Sequence, residues 1–393
     1  MQIDTKLAKL SVYFEVILNC EGSEMKVPLL DISAQNTALR PDIEAAIGRV
    51  LDTNGFILGD EVASLEKELA SYCRAKHAIA CASGTDALIL ALLAYDIGFD
   101  DEVITTPYSF FASSSSIARL GAVPIFVDID PDTFNMDASQ VEARITDKTK
   151  AIMPIHLFGQ CADMDALLEI GRRHGVPVIE DAAQAIGAED RGRRAGSMGD
   201  IGCFSFYPSK NLGGMGDGGF LTTNDDDLAH KLRALRVHGS FERYYHKWVG
   251  LNSRLDGFQG AVLRVKLPHL DRWSDARKKN ADSYREGLAD IGSGFLLPLE
   301  RENVRHIYNQ YVVRVPGRRD ELKSFLADHE VGTDIYYPVS LHLQECFSYL
   351  GYRKGDYPES ERASEESLAL PIFPEMTIEQ QNHVVSTIRK FFS

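Results

Sequence analysis

From Val27 onward, short apolar runs alternate with longer segments whose apolar residues recur every three or four positions. The runs at 78–81, 102–105, 124–127, 151–154 and 176–179 are predominantly apolar, as strands covered on both faces must be. Between them, 60–75, 86–95, 113–120 and 164–174 carry helical periodicity. Strand, crossover helix, strand is the pattern of an α/β fold, and it predicts a large domain built on a mostly parallel, doubly wound sheet. Two more strands, around 203–206 and 219–222, flank a glycine-rich stretch. After about Lys266 the texture changes. A helix over 270–291, an alternating strand over 310–315 and helices over 319–328 and 378–392 predict a smaller C-terminal α+β domain. The expected division is an extension at 1–24, a large domain at 25–265 and a small one at 266–393. No internal repeat or low-complexity tract interrupts it.

Length and composition sharpen this picture. The 393 residues are enough for two packed domains, and 44% apolar with 25% charged residues is ordinary for a globular protein. A formal charge of −15 argues against nucleic-acid binding, which needs a basic face to neutralise phosphates. Six scattered cysteines without a C-x-x-C pair suggest neither a disulfide framework nor a metal site, and fit a reducing compartment. No run is long enough to span a membrane. Lys6 and Lys9 before the apolar stretch 10–20 faintly resemble a signal peptide, but Glu15 interrupts it and no clean cleavage site follows. An extension, or an upstream start ahead of Met25, in a cytoplasmic protein is the simpler reading.

Three motifs carry chemistry. Ser83-Gly84-Thr85-Asp86-Ala87-Leu88 stands where the strand at 78–81 turns into a helix, whose first amides lack intrahelical acceptors and suit an anion. Thr85 and Asp86 are equally ordinary helix caps. Glu180-Asp181-Ala182-Ala183-Gln184 closes another apolar strand, the end at which open α/β sheets gather ligands. A carboxylate there can keep a heteroaromatic ring nitrogen protonated; Asp181 can also be a plain cap, and Gln184 a solvent-facing residue. Finally, Ser205-Phe206-Tyr207-Pro208-Ser209-Lys210-Asn211 precedes the glycine-rich 213–219. A lysine withdrawn from water has a lowered pKa and can form an imine with an aldehyde, and Ser205 is spaced to offer its hydroxyl to a phosphate. An exposed lysine beside a flexible turn is the bland alternative, and it weakens because all three motifs occur in this order.

The ordered set resembles the DegT/DnrJ/EryC1/StrS sugar aminotransferases, pyridoxal-phosphate (PLP) enzymes of the aspartate-aminotransferase fold, type I. The likeness runs from about Val27 to the C-terminus, through Phe56-Ile57-Leu58-Gly59, 121–128, Tyr336-Tyr337-Pro338, Leu341-His342-Leu343-Gln344 and Leu368-Ala369-Leu370-Pro371. It implies that Lys210 forms the imine with the cofactor and shuttles the proton, and that Asp181 pairs with the pyridine nitrogen. It implies further that Gln184 touches the ring oxygen or the phosphate side, and that Gly84, Thr85 and Ser205, with Asp86 beside them, hold the phosphate. Phe110, with Phe111 close behind, is the expected ring over the cofactor. Asn252 resembles an asparagine that reaches the phosphate from a neighbouring subunit, which implies a homodimer with a shared site. Asp217 stands where many members have Glu.

The resemblance implies transfer of an amino group, with glutamate as donor, to a keto carbon of a nucleotide-linked sugar, C3 favoured over C4. His156, His238, Tyr337 and His342 are candidates for substrate contact; His156 is equally a packed strand-end residue. A sugar 3-dehydratase of the same fold would carry histidine in place of Lys210, so Lys210 speaks against it. A regulatory protein of this fold would have no use for the intact Lys210, Asp181 and Ser205. A PLP enzyme for amino acids would need an arginine clamp that is not evident. No metal site is suggested.

Overall fold

The computed structural model describes residues 25–393. The expected extension at 1–24 lies outside them. Seven strands build one sheet: β1 (His77–Cys81), β2 (Glu102–Thr105), β3 (Val123–Phe126), β4 (Thr149–Ile152), β5 (Ile179–Asp181), β6 (Ile201–Ser205) and β7 (Gly219–Thr223). The order is β3-β2-β4-β5-β6-β7-β1, with the β4–β5 junction made by the parallel bridges Ile152↔Val178 and Ile155↔Asp181. β7 pairs antiparallel with both neighbours and the remaining strands run parallel. This is the α/β sheet expected from the apolar runs. The strand anticipated at 176–179 begins regular pairing only at Ile179, because Pro177 has no N–H to give to a ladder.

Helices cover both faces. α1 (Ser33–Thr53) and α2 (Asp60–Cys73) precede the sheet, and α3 (Gly84–Ala94), α4 (Ala112–Arg119), α5 (Met164–His174), α6 (Asp226–Leu235) and α7 (Gly257–Lys266) accompany it. α3 buries Ala87, Leu88, Leu90, Ala91, Leu92 and Ala94, so it is apolar nearly all round, as a helix sandwiched between sheet and neighbours must be. α5 buries Met164, Leu167 and Ile170 and turns Arg172 and Arg173 outward. It stops at Gly175, whose φ of 65° supplies the left-handed cap.

The C-terminal part packs α8 (Leu270–Leu288), α9 (Arg319–Asp328) and α11 (Ile378–Phe392) against the antiparallel pair β8 (Tyr311–Arg314) and β9 (Ser367–Leu370). Tyr284, Tyr311, Val313, Leu322, Leu368 and Val384 fill its core. Val27 joins the same core and bridges to Val331, so the start of the described chain folds back onto its end. Helix α10 (Pro358–Glu366) starts on Asp128, just past β3, whose carboxylate accepts from the Glu359 and Ser360 amides at 2.9 Å each. That cap ties the C-terminal part to the sheet.

Candidate active site

A cavity of about 670 Å³ opens at the carboxyl ends of the parallel strands, where such sheets hold ligands. Its walls include Gly84 and Thr85 of α3, Phe110 before α4, Asp181 and Gln184 after β5, Ser205 at the end of β6, Lys210, and Tyr337 from the C-terminal part. Eight of the expected residues, distant in sequence, thus meet around one space.

The start of α3 is built for close approach. Ser83 caps it by accepting the Asp86 amide at 3.1 Å. The Gly84 and Thr85 amides, like all first-turn amides, have no acceptor within the helix. A Cβ on Gly84 would sit 2.7 Å from Ser205 Cβ and 3.1 Å from its Oγ, so only glycine lets the helix start rest on the end of β6. Ser205 Oγ accepts the Tyr207 amide at 3.2 Å, which leaves its proton to donate. Two amides and a hydroxyl at a helix N-terminus form an anion cradle. Asp86 stands apart from the cavity wall, and its carboxylate accepts from Ser253 Oγ at 2.7 Å.

Lys210 closes a turn through its amide, donated to the Tyr207 carbonyl at 2.8 Å. The glycine-rich stretch after it is held from α7: Lys266 Nζ donates to the Gly213 carbonyl at 2.9 Å, and Gln259 accepts the Met215 amide at 2.8 Å. Those glycines serve the protein's own packing. A Cβ on Gly219 would meet the Ser83 carbonyl oxygen at 2.5 Å and that of Phe204 at 2.7 Å.

Withdrawal from water pushes the half-buried Lys210 amine down to about 8, with Asp181 pulling the other way. Burial likewise raises the Asp181 carboxyl, opposed by Ser113, the Ala183 amide, Lys210 and His156. Ser113 Oγ donates to Asp181 Oδ2 at 2.8 Å. Gln184 spends both ends of its amide, accepting the Phe158 amide at 2.8 Å and donating to Tyr337 Oη at 3.0 Å. Phe110 projects into the cavity with its ring 6.3 Å from that of Tyr337, whereas Phe111 turns away to Phe347 at 5.6 Å.

Other expected residues lie off the wall. His156 is fully buried, its Nε2 2.8 Å from Glu180 Oε2 while Nδ1 accepts the Ala162 amide at 3.0 Å. With Nδ1 accepting, the proton on Nε2 points at Glu180. Burial works against the Glu180 charge, but His156 and the Gly199 and Gly196 amides hold its carboxyl below the usual range. His342 is buried against Glu361 at 3.0 Å. His238, at φ 63°, and Asn252 are exposed beside each other, where Val237 bridges to Asn252. Sequence reasoning passed over Ser83, Ser109, Ser113 and Gln310, all on the wall. The signal for Ser113 is four serines in a row, 113–116, at a helix start that faces inward.

The sequence of this chain matches the model of the DegT/DnrJ/EryC1/StrS aminotransferase family over residues 37–389. The chain belongs to that family. Among relatives, a pleiotropic regulatory protein of Geobacillus stearothermophilus is 52% identical, covering 94% of this chain and 99% of its own length. A UDP-N-acetyl-3-dehydro-alpha-D-glucosamine 3-aminotransferase of Acidithiobacillus ferrooxidans is 43% identical over 93% of this chain and 97% of its own. Streptomyces venezuelae DesV, solved in complex with a ketimine intermediate, superposes with a TM-score of 0.91 at 42% identity, covering 94% of this chain and 99% of DesV. With that family, the α/β architecture is the aspartate-aminotransferase type expected from the motifs.

Proposed function

We propose that this chain is a PLP-dependent aminotransferase that moves an amino group from glutamate to a keto carbon, C3, of a nucleotide-linked sugar. The observation that carries the reading is the meeting of a desolvated amine, Lys210, with a buried carboxylate, Asp181, beside the anion cradle of Gly84, Thr85 and Ser205. That donor set fits PLP: the cradle takes the phosphate, Asp181 the ring nitrogen, Gln184 the ring's oxygen side and Phe110 a ring face. Bound there, PLP supplies an aldehyde for the lysine and a ring that spreads the negative charge left when a proton leaves the carbon beside the amine. Lys210 Nζ, partly neutral near pH 8, would take up that proton and return it to the carbon on the other side of the nitrogen. Asp181 stays ionised opposite and keeps the ring electron-poor. The Acidithiobacillus relative, a 3-aminotransferase, supports C3.

A homodimer belongs to the same proposal. Among the described residues, Lys210 is the one cation on the cavity wall, beside Asp181 and Asp217. Both substrates are anionic, so their countercharges come from elsewhere. The exposed segment 238–249 and Asn252 offer Arg243, Lys247 and an amide to a neighbouring subunit. His238 on that segment stays a candidate for substrate contact across the interface. The division into 25–265 and 266–393, and a cytoplasmic site, also stand as proposals; no described helix is long and apolar enough to cross a membrane.

Incubation with ¹⁵N-glutamate and a nucleotide-linked 3-keto sugar tests the reading. The expected product is the 3-amino sugar carrying ¹⁵N, identified by mass and by its carbon shifts. A glutamate-dependent product aminated at C4 would overturn the choice of position, and no amination of any keto sugar would overturn the function.

A further inference from the structure

Asp181 carries the electrostatics of the proposed site, yet a carboxylate this buried is disfavoured in its charged form. Among the described side chains, Ser113 is the one that donates a hydrogen bond to it, Oγ to Oδ2 at 2.8 Å. Behind Ser113 lies Ser109, the two hydroxyl oxygens 2.9 Å apart. Both serines are buried, at 1% and 3% exposure, and both border the cavity. The polarity of this chain follows from proton count. An ionised carboxylate only accepts, so the Ser113 proton points at Asp181, and Ser109 must then donate to Ser113.

The hydroxyl of Ser113 is not used to cap α4, which begins without any side-chain cap. Its neighbours show what an idle buried hydroxyl looks like: Ser114 Oγ and Ser116 Oγ have no partner. We propose that Ser113, backed by Ser109, is a positioning residue that keeps Asp181 ionised and fixed in orientation at the cavity wall. The other groups facing Asp181 are Lys210 and His156, which favour its charge, and the half-buried Tyr337 and buried Cys203, both neutral. None of their side chains donates a hydrogen bond to its carboxylate.

This inference rests on the PLP reading, and its test separates the two. PLP affinity is measured against pH for the full chain, for Ser113→Ala, Ser113→Thr and Ser109→Ala, with melting temperatures alongside. Affinity needs the ionised carboxylate and falls as pH drops through the Asp181 midpoint. Losing a donor to the charged form raises that midpoint, so Ser113→Ala moves the fall to higher pH by about one unit. Ser109→Ala moves it the same way by less, and Ser113→Thr, which keeps the hydroxyl, restores the parent profile. An unshifted midpoint in Ser113→Ala, with affinity lowered equally at every pH or not at all, overturns the role of Ser113 alone. A parent chain that takes up no PLP at any pH overturns the function and this inference together.

Discussion

Lys210 is the residue on which the proposed chemistry turns, and its environment makes a quantitative demand. An ordinary lysine near pKa 10.4 is neutral in fewer than about 1 in 200 molecules at pH 8. Desolvation brings Lys210 to about 8, so half of it is neutral there. The neutral amine is the nucleophile, so reactivity is gained as pH rises through the depressed value. Short pulses of PLP and borohydride on cofactor-free protein, followed by peptide mapping, should label the Lys210 peptide with a midpoint near pH 8. A midpoint near 10.4 would mean an exposed lysine. Sequence alone placed Lys210 after a strand and before glycines but not its desolvation, because the walls come from 83–85, 109–113, 181–184 and 335–337. His156 marks the opposite case. Its position at the end of the strand at 151–154 was visible in the sequence, while its burial on Glu180 depends on the turn at 196–199, whose amides complete the carboxylate's shell.

The decisive element is the start of α3 resting on the end of β6. A Gly84→Ala Cβ overlaps Ser205, and both partners are backbone-fixed, so the helix start must shift. Overpacking of this kind costs about 1–3 kcal/mol. Gly84→Ala is therefore expected to lower the melting temperature and weaken PLP binding at least about tenfold, the shift in the cradle adding to the strain. Gly98→Ala, where a Cβ meets nothing within 4 Å, is the control and should change neither. Equal behaviour of the two variants in calorimetry and titration would remove the close-approach argument. Elements with strong periodicity, such as α5, α9 and α11, were legible with their limits in the sequence. α10 was not: a short polar helix starting at Pro358, its N-terminus is satisfied by Asp128, 231 residues away from Glu359. α6, α7 and α1 also went unassigned, although Leu39, Ile43, Ala46 and Val50 give α1 a clear buried stripe.

In the whole molecule, the proposed shared site needs a second subunit. The sequence motifs, read as a set, carried the fold and the cavity, but no single chain brings Asn252 to the wall that Lys210 lines. If Asn252 acts across a two-fold axis, a Lys210→Ala chain still offers an intact Asn252 to its neighbour. Mixing and reassociating inactive Lys210→Ala with Asn252→Asp, which sets a carboxylate against the phosphate, should regain about a quarter of parental activity. Half of the dimers would be mixed, each with one whole site. Activity no higher than the sum of the separate variants would place Asn252 outside the neighbouring site. The overall charge of −15 need not exclude anionic substrates in such an assembly, because the segment proposed to cross carries the exposed Arg243 and Lys247.

Amino transfer through Lys210 can be read from the absorbance spectrum of the PLP-loaded protein before and after glutamate, with Lys210→Ala beside it. The expected result is a band near the visible that collapses on adding glutamate in the parent and not in Lys210→Ala. A parent that binds PLP and answers neither glutamate nor any other amino donor, or a Lys210→Ala protein that responds as the parent does, would contradict it.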